Sequence, residues 1–326
     1  MKPNLAAAHP SCWSVKAAGL IAMTIATATA TAAVALAQSP DDLTVEPGRD
    51  VPATIEGQSV MLRVLSAGPD RLVLNAQTAA RLGLKPAVLV GRANLNVAGR
   101  REFEGRNRPA DFIIGGIKHN ERVLWFPTAP AQPADGTIGP WALRHNRVTF
   151  AFGTPDPTAV RHDFPMFGTV DTGSVAGYRE ATFGMGVAFD LDDLSPYPRA
   201  SAAAGAAIAR VYGGSLSGPT WDVEILFGIM RPVRLLTLER PLVIGPLRFT
   251  KIAVRVRDRI DASGRGRDIP DADMVEDPSE VVVTAKAKGP RPVFSFAVPR
   301  AAMADCARLS FDKRAKRIEL WCKPGG

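Results

Sequence analysis

The chain repeats its own order of elements at an offset that grows along its length. Asn75 precedes the short helical run AQTAARLG, closed by Gly83, and Ser201 precedes a second run, AAAGAAIARVYG, closed by Gly213, at 201 − 75 = 126. Ile114-Gly115 recurs as Ile244-Gly245 at 245 − 115 = 130, each followed by an apolar residue, Ile117 or Leu247, and a strand pattern. Ile138 and Leu143 recur as Val298 and Met303 at 298 − 138 = 160. Three landmarks in one order, with the offset rising stepwise, read as an internal duplication. The last step, 160 − 130 = 30, is an insertion in the second copy.

Within the first copy, Val60 to Leu84 reads VMLRVLSAGPDRLVLNAQTAARLGL. An apolar strand enters a turn at Ser66-Ala67-Gly68, a second apolar strand follows, and Asn75 is placed to cap a helix that Gly83 stops. This succession resembles the active-site segment of retropepsin-like aspartic proteases, whose turn reads Asp-Thr-Gly with the Asp nine residues before the helix cap. The family also places a hydrophobic-hydrophobic-Gly element behind that turn, and Thr137-Ile138-Gly139 with Leu143 is similar to it. The resemblance covers Val51 to Phe152, and the duplication extends it to the second half. It implies an all-β, two-lobed acid-protease-like β-barrel fold with one short helix per lobe, as in single-chain pepsin-like enzymes. The lobes would span 44–153 and 178–326, joined by a Pro-broken linker at 154–177, with the insertion at 261–292 in the second lobe.

Aspartic proteolysis needs two carboxylates close enough to share a proton, one held protonated as the acid while its ionised partner activates water. Nine residues before Asn75 stands Ser66, whose hydroxyl cannot act as that base; nine before Ser201 stands Asp192. Asp193 and Leu194 follow where the family has Thr and Gly, and Pro299 replaces the Gly expected behind the second turn. A literal Asp-Thr-Gly-Ser occurs at Asp171-Thr172-Gly173-Ser174, but nine residues on lies Glu180, entering a strand. Asp70 and Asp135 are the nearest carboxylates in the first lobe. The resemblance therefore implies a degenerate site that binds an extended polypeptide in the interlobe cleft. Were the protein active, it would be an aspartic-type endopeptidase using Asp192 or Asp171.

No other catalytic pattern competes. Beyond residue 37 the histidines are His119, His145 and His162, with no His-x-x-x-His pair, no Gly-x-Ser-x-Gly elbow and no phosphate-binding Gly-rich loop. Neither a metal nor a cofactor is expected.

Residues 1–37 read as a signal peptide: Lys2 and Lys16, an apolar small-residue run, and Ala35-Leu36-Ala37 ahead of Gln38. The expected address is periplasmic or secreted, with no membrane span after cleavage. Removing Lys2 and Lys16 from forty basic residues leaves 38 − 32 = +6, and those charges are scattered, which argues against nucleic acid. Cys306 and Cys322 are the cysteines left in such an oxidising compartment. They bracket two alternating strands about Lys313-Arg314-Ala315, so they are expected to bond at the base of a hairpin. Inside the insertion, SEVVVTAKAKG resembles the TonB box of outer-membrane transporters. Its Val281, Val282, Val283, Thr284 and Ala285 would add a strand to a TonB-like periplasmic protein.

Overall fold

The computed structural model describes residues 41–97, 101–127, 133–169, 173–226, 229–256 and 294–324. Residues 1–37, expected as a signal peptide, Asp171, and residues 261–292 with Val281 to Ala285, expected as an insertion, lie outside the described residues. Gln38–Gly326 forms a compact unit by itself.

The first half contributes β1 (Asp42–Val45), β2 (Asp50–Ile55), β3 (Gln58–Val64), β4 (Leu72–Leu74) and α1 (Ala76–Arg81). It continues with β5 (Arg92–Val97), β6 (Arg101–Ile114), β7 (Ile117–Trp125), β8 (Gly136–Ile138), a 3-10 turn at Pro140–Ala142 and β9 (Arg147–Ala151). The second half contributes β10 (Val160–Thr169), β11 (Gly173–Arg179), β12 (Gly184–Asp190), β13 (Arg199–Ala200), α2 (Ala202–Tyr212) and β14 (Ser215–Leu226). Then come β15 (Ile229–Ile244), β16 (Leu247–Arg255), β17 (Ser295–Pro299), a 3-10 turn at Arg300–Met303, β18 (Cys306–Asp312) and β19 (Arg317–Cys322). The protein is all-β, with one α-helix in each half among the described residues.

Strands 2 to 8 form a seven-stranded sheet in the order β2-β3-β8-β4-β7-β6-β5, and β2 also pairs with β6, which curls it toward a barrel. The second half gives β11-β12-β17-β13-β16-β15-β14, the same order element for element. Both contain the same parallel pairings, β3 with β8 and β12 with β17. The remaining strands, β1-β9-β18-β19-β10, draw on both ends of the chain and continue into the second sheet through β10. Alternation sets the buried faces: Val60, Leu62 and Val64 in β3, Met185, Val187 and Phe189 in β12. The matched glycines Gly115 (φ +56°) and Gly245 (φ +58°) both turn a hairpin in the left-handed region. A Cβ on Gly115 would come within 2.7 Å of His145 Nε2, and one on Gly245 within 2.6 Å of the Phe164 ring.

Three local expectations meet different outcomes. Ser201 caps α2, its Oγ accepting from the Ala204 N–H at 3.2 Å, and Gly213 (φ +72°) ends the helix. Asn75 occupies the matching position, but makes no side-chain cap bond; its amide donates to the Ala134 carbonyl at 2.8 Å. The 154–177 segment, expected as a linker, contains β10 and the start of β11. Pro165, which has no N–H to give, sits where β10 leaves β19 and Met166 takes up β11 as partner.

Cys306 and Cys322 are bonded and face each other across the β18–β19 ladder. Beside them, Glu319 is fully buried in the central ladder. Its carboxylate accepts from Arg147 Nη1 at 2.6 Å and Arg317 Nε at 2.8 Å, and Arg147 also reaches Asp312 at 2.6 Å. Burial pushes the Glu319 carboxyl up, but the two guanidiniums outweigh it and hold the group below the usual range.

Candidate functional site

The first turn is built on close backbone approach. Leu65 N–H donates to the Ile138 carbonyl at 3.0 Å, Gly68 N–H to Leu65 at 3.0 Å, and Gly139 N–H to Pro69 at 2.8 Å. A Cβ on Gly139 would stand 2.4 Å from the Gly68 carbonyl oxygen, and one on Gly173 only 2.1 Å from it. Gly173, the glycine of the literal Asp-Thr-Gly, therefore rests directly on the Ser66-Ala67-Gly68 turn, although Asp171 and Thr172 are not described.

Counting back from the helix caps pairs Ser66 with Asp192; the strand ladders pair it with Leu191. Val64 is level with Ile138, and Phe189 with Val298, so the strands match at 189 − 64 = 125 and Ser66 corresponds to 66 + 125 = 191. The loop from strand to helix cap is one residue longer in the second half, which moves the count off by one. The two turns meet at this pair of positions: Leu191 N–H donates to Ser66 Oγ at 2.9 Å. Ser66 is 0% exposed and Leu191 1%. The serine hydroxyl is thus an acceptor tying the two halves together.

Carboxylates flank Leu191. Asp190 Oδ1 accepts from the N–H groups of Asp192 and Asp193, each at 3.2 Å. Its pKa is raised, by burial first and by Asp193 next, while Arg199 at 3.6 Å and the two N–H groups pull the other way. Asp193 is engaged on both oxygens, by Arg199 at 2.9 and 3.0 Å and by Ser195, whose N–H donates at 2.9 Å. Asp192 differs: its Oδ2 is buried with no hydrogen-bond partner. Burial, then the charge of Asp190, pushes its pKa up to about 6 against the pull of Arg63 and Arg300.

The remaining candidates separate from this group. Asp135 holds α1 to the sheet, accepting from Met61 N–H at 2.9 Å, Thr78 Oγ1 at 3.0 Å and Arg81 at 2.7 Å. Burial raises its pKa, but these donors outweigh burial and hold it low, so it is not poised as an acid. Asp70 follows the first turn and, with Arg71, Leu72, Trp141 and Arg144, lines a recess of about 500 Å³. Among the described residues no cluster of His, Cys, Asp and Glu is placed to hold a metal. Arg63, Arg199 and Arg300, which set the charge around the acids, come from β3, β13 and the second 3-10 turn, and no local sequence signal marks them. No family model matches the chain, and no curated protein matches it.

Chemically, the meeting point offers a hydroxyl acting as acceptor, an apolar side chain, and beside them two carboxyls raised by burial, Asp190 and Asp192, the second protonated below about pH 6. A carboxyl in that state donates a hydrogen bond, whereas two acids facing each other across the turns are missing among the described residues.

Proposed function

We propose that this is a two-lobed acid-protease-like protein, derived by internal duplication, whose cleft binds an extended polypeptide without cutting it. The observation that carries the reading is the Ser66 Oγ to Leu191 N–H bond, because it joins the first turn, at the position where the resemblance puts an acid, to the residue that strand register makes its counterpart in the second half. With serine and leucine at that pair, no two carboxyls face each other there to share a proton. The repeated strand order supports the architecture, and the half-exposed strand β14 supports recognition by main-chain pairing at a sheet edge. Immobilised protein comprising residues 38–326 is expected to retain intact peptides from a mixed library, and Asp192→Asn to retain the same set. Failure of both proteins to retain any peptide would remove the reading.

A second reading rests on Asp192 itself. An acid raised to about 6 with an unpartnered buried oxygen has the properties of a general acid, so an unconventional peptidase would use it. It requires acid-favoured cleavage that Asp192→Asn abolishes.

A further inference from the structure

The loop after α1 carries Val88, Leu89 and Val90 at 99%, 94% and 57% exposure, an apolar triplet presented to solvent. The loop is not loosely held. Ala87 N–H donates to the Asn107 carbonyl at 3.0 Å, Asn107 N–H to Gly91 at 2.9 Å, and the Asn107 amide to Arg92 at 2.8 Å. Asn107 is itself buried, and a Cβ on Gly91 would lie 2.1 Å from the Ala87 carbonyl, so residues 87–91 form a tight knuckle stapled to β6. Its apolar side chains are therefore held outward by the fold.

The surroundings are cationic. Lys85 and Arg92 flank the knuckle, Arg106 is the ladder partner of Arg92, and Arg122 donates to the Val90 carbonyl at 3.5 Å and to Asn107 Oδ1. None of these four makes an ion pair among the described residues. The nearby acids are Glu104, two residues from Arg106 on the same face of β6, and Glu121 and Asp70, which line one recess with Arg122. Arg92 and Arg106 stand directly opposite on the ladder, a like-charge pair that destabilises the sheet and that an anionic surface would relieve beyond what Glu104 on the same face supplies.

We propose that the Val88–Val90 knuckle docks the protein on an anionic phospholipid surface, the apolar side chains entering the interface while Lys85, Arg92, Arg106 and Arg122 meet the headgroups. A convex tip of three side chains is too small for a stable protein interface, which takes about 800 Å² from each partner. The edge of a bilayer needs no complementary groove: protruding apolar groups enter the headgroup boundary, and nearby Lys and Arg add electrostatic attraction to anionic lipid. The binding is peripheral and reversible, independent of the cleft and of any helix that crosses the membrane.

The test is co-sedimentation of residues 38–326 with vesicles of phosphatidylcholine alone or with about one-third phosphatidylglycerol, an anionic fraction high enough for polybasic attraction. Wild type is expected to bind the anionic vesicles and to be released by 0.5 M salt, where charges are screened beyond about 4 Å. The double change Val88→Ser, Leu89→Ser is expected to weaken partitioning about a hundredfold, since each apolar side chain moved into lipid contributes roughly a factor of ten. Both side chains are exposed, so an unchanged melting curve confirms that the variant is folded. Binding that ignores the double change, binding equal on neutral vesicles, or no binding overturns the proposal. So does loss of a dimer on sedimentation analysis of the variant, which would assign the knuckle to a second copy of this chain.

Discussion

Replacing Asp192 by Asn is expected to stabilise the protein at neutral pH. The carboxyl is raised to about 6 from an ordinary 3.8, so its ionised form is disfavoured in the folded state relative to the unfolded chain. At about 1.4 kcal/mol per pH unit, that gap corresponds to about 3 kcal/mol. Solvent reaches part of the side chain, and the discounted expectation is about 2 kcal/mol. The sign follows from the order of the two pKa values. Because the folded value lies above the unfolded one, the cost is absent below about pH 4, grows between 4 and 6, and is complete above 6. Asn keeps the shape and removes the charge, so the variant avoids the cost. Urea unfolding at pH 7.5 should show Asp192→Asn more stable by about 2 kcal/mol with an unchanged m-value, the gap closing to within about 0.5 kcal/mol at pH 3.5. Equal stability at pH 7.5, or a less stable variant, would mean that the carboxylate is solvated or paired, and the account of a desolvated acid beside the join would be wrong.

Other perturbations follow from the same structure. His119 is fully buried, stacked on Phe112, and lowered to about 4 by burial first and then by His145, Arg144 and Lys313. Its folded pKa lies below the unfolded 6.5, so stability present above pH 6.5 is lost as pH falls toward 4. Relative to His119→Phe, wild type should lose about 3 kcal/mol over that range in urea titrations. Arg147→Met leaves the buried Glu319 with a weaker set of donors, and a loss of about 3 kcal/mol is expected by thermal unfolding. Reducing the Cys306–Cys322 bond, which closes a separation of 16 residues, should cost about 3 kcal/mol in guanidinium unfolding. Ser201→Ala removes the α2 cap and should cost about 1 kcal/mol by the same method.

Much of the architecture is visible in the chain because its landmarks are local. Alternation around Val60 to Val64, the helix stop at Gly83, the turn glycines at 115 and 245, and the two cysteines each carry their own conformational reason. The duplicated strand order grows out of those landmarks. The region from 154 to 177 is different: its prolines read as breaks, yet Pro165 sits at a change of ladder partner, where a missing N–H costs nothing. The site is legible only in part. Ser66 stands at the first turn as the spacing says, but the second turn has one extra loop residue, and only the β12–β17 register identifies Leu191 as its counterpart. The raised pKa of Asp192 depends on burial first and on the charge of Asp190, against the pull of Arg63 and Arg300 from distant elements, a three-dimensional balance that no spacing contains.

The central claim is that the two turns meet without a catalytic pair. Its most direct test is mass spectrometry of a mixed peptide library incubated with residues 38–326 from pH 3 to 7, analysing both retained peptides and new chain ends. The account predicts peptides retained intact and no new ends at any pH, for wild type and Asp192→Asn alike. Fragments produced by wild type and absent with Asp192→Asn would contradict it, and would make Asp192 a working acid.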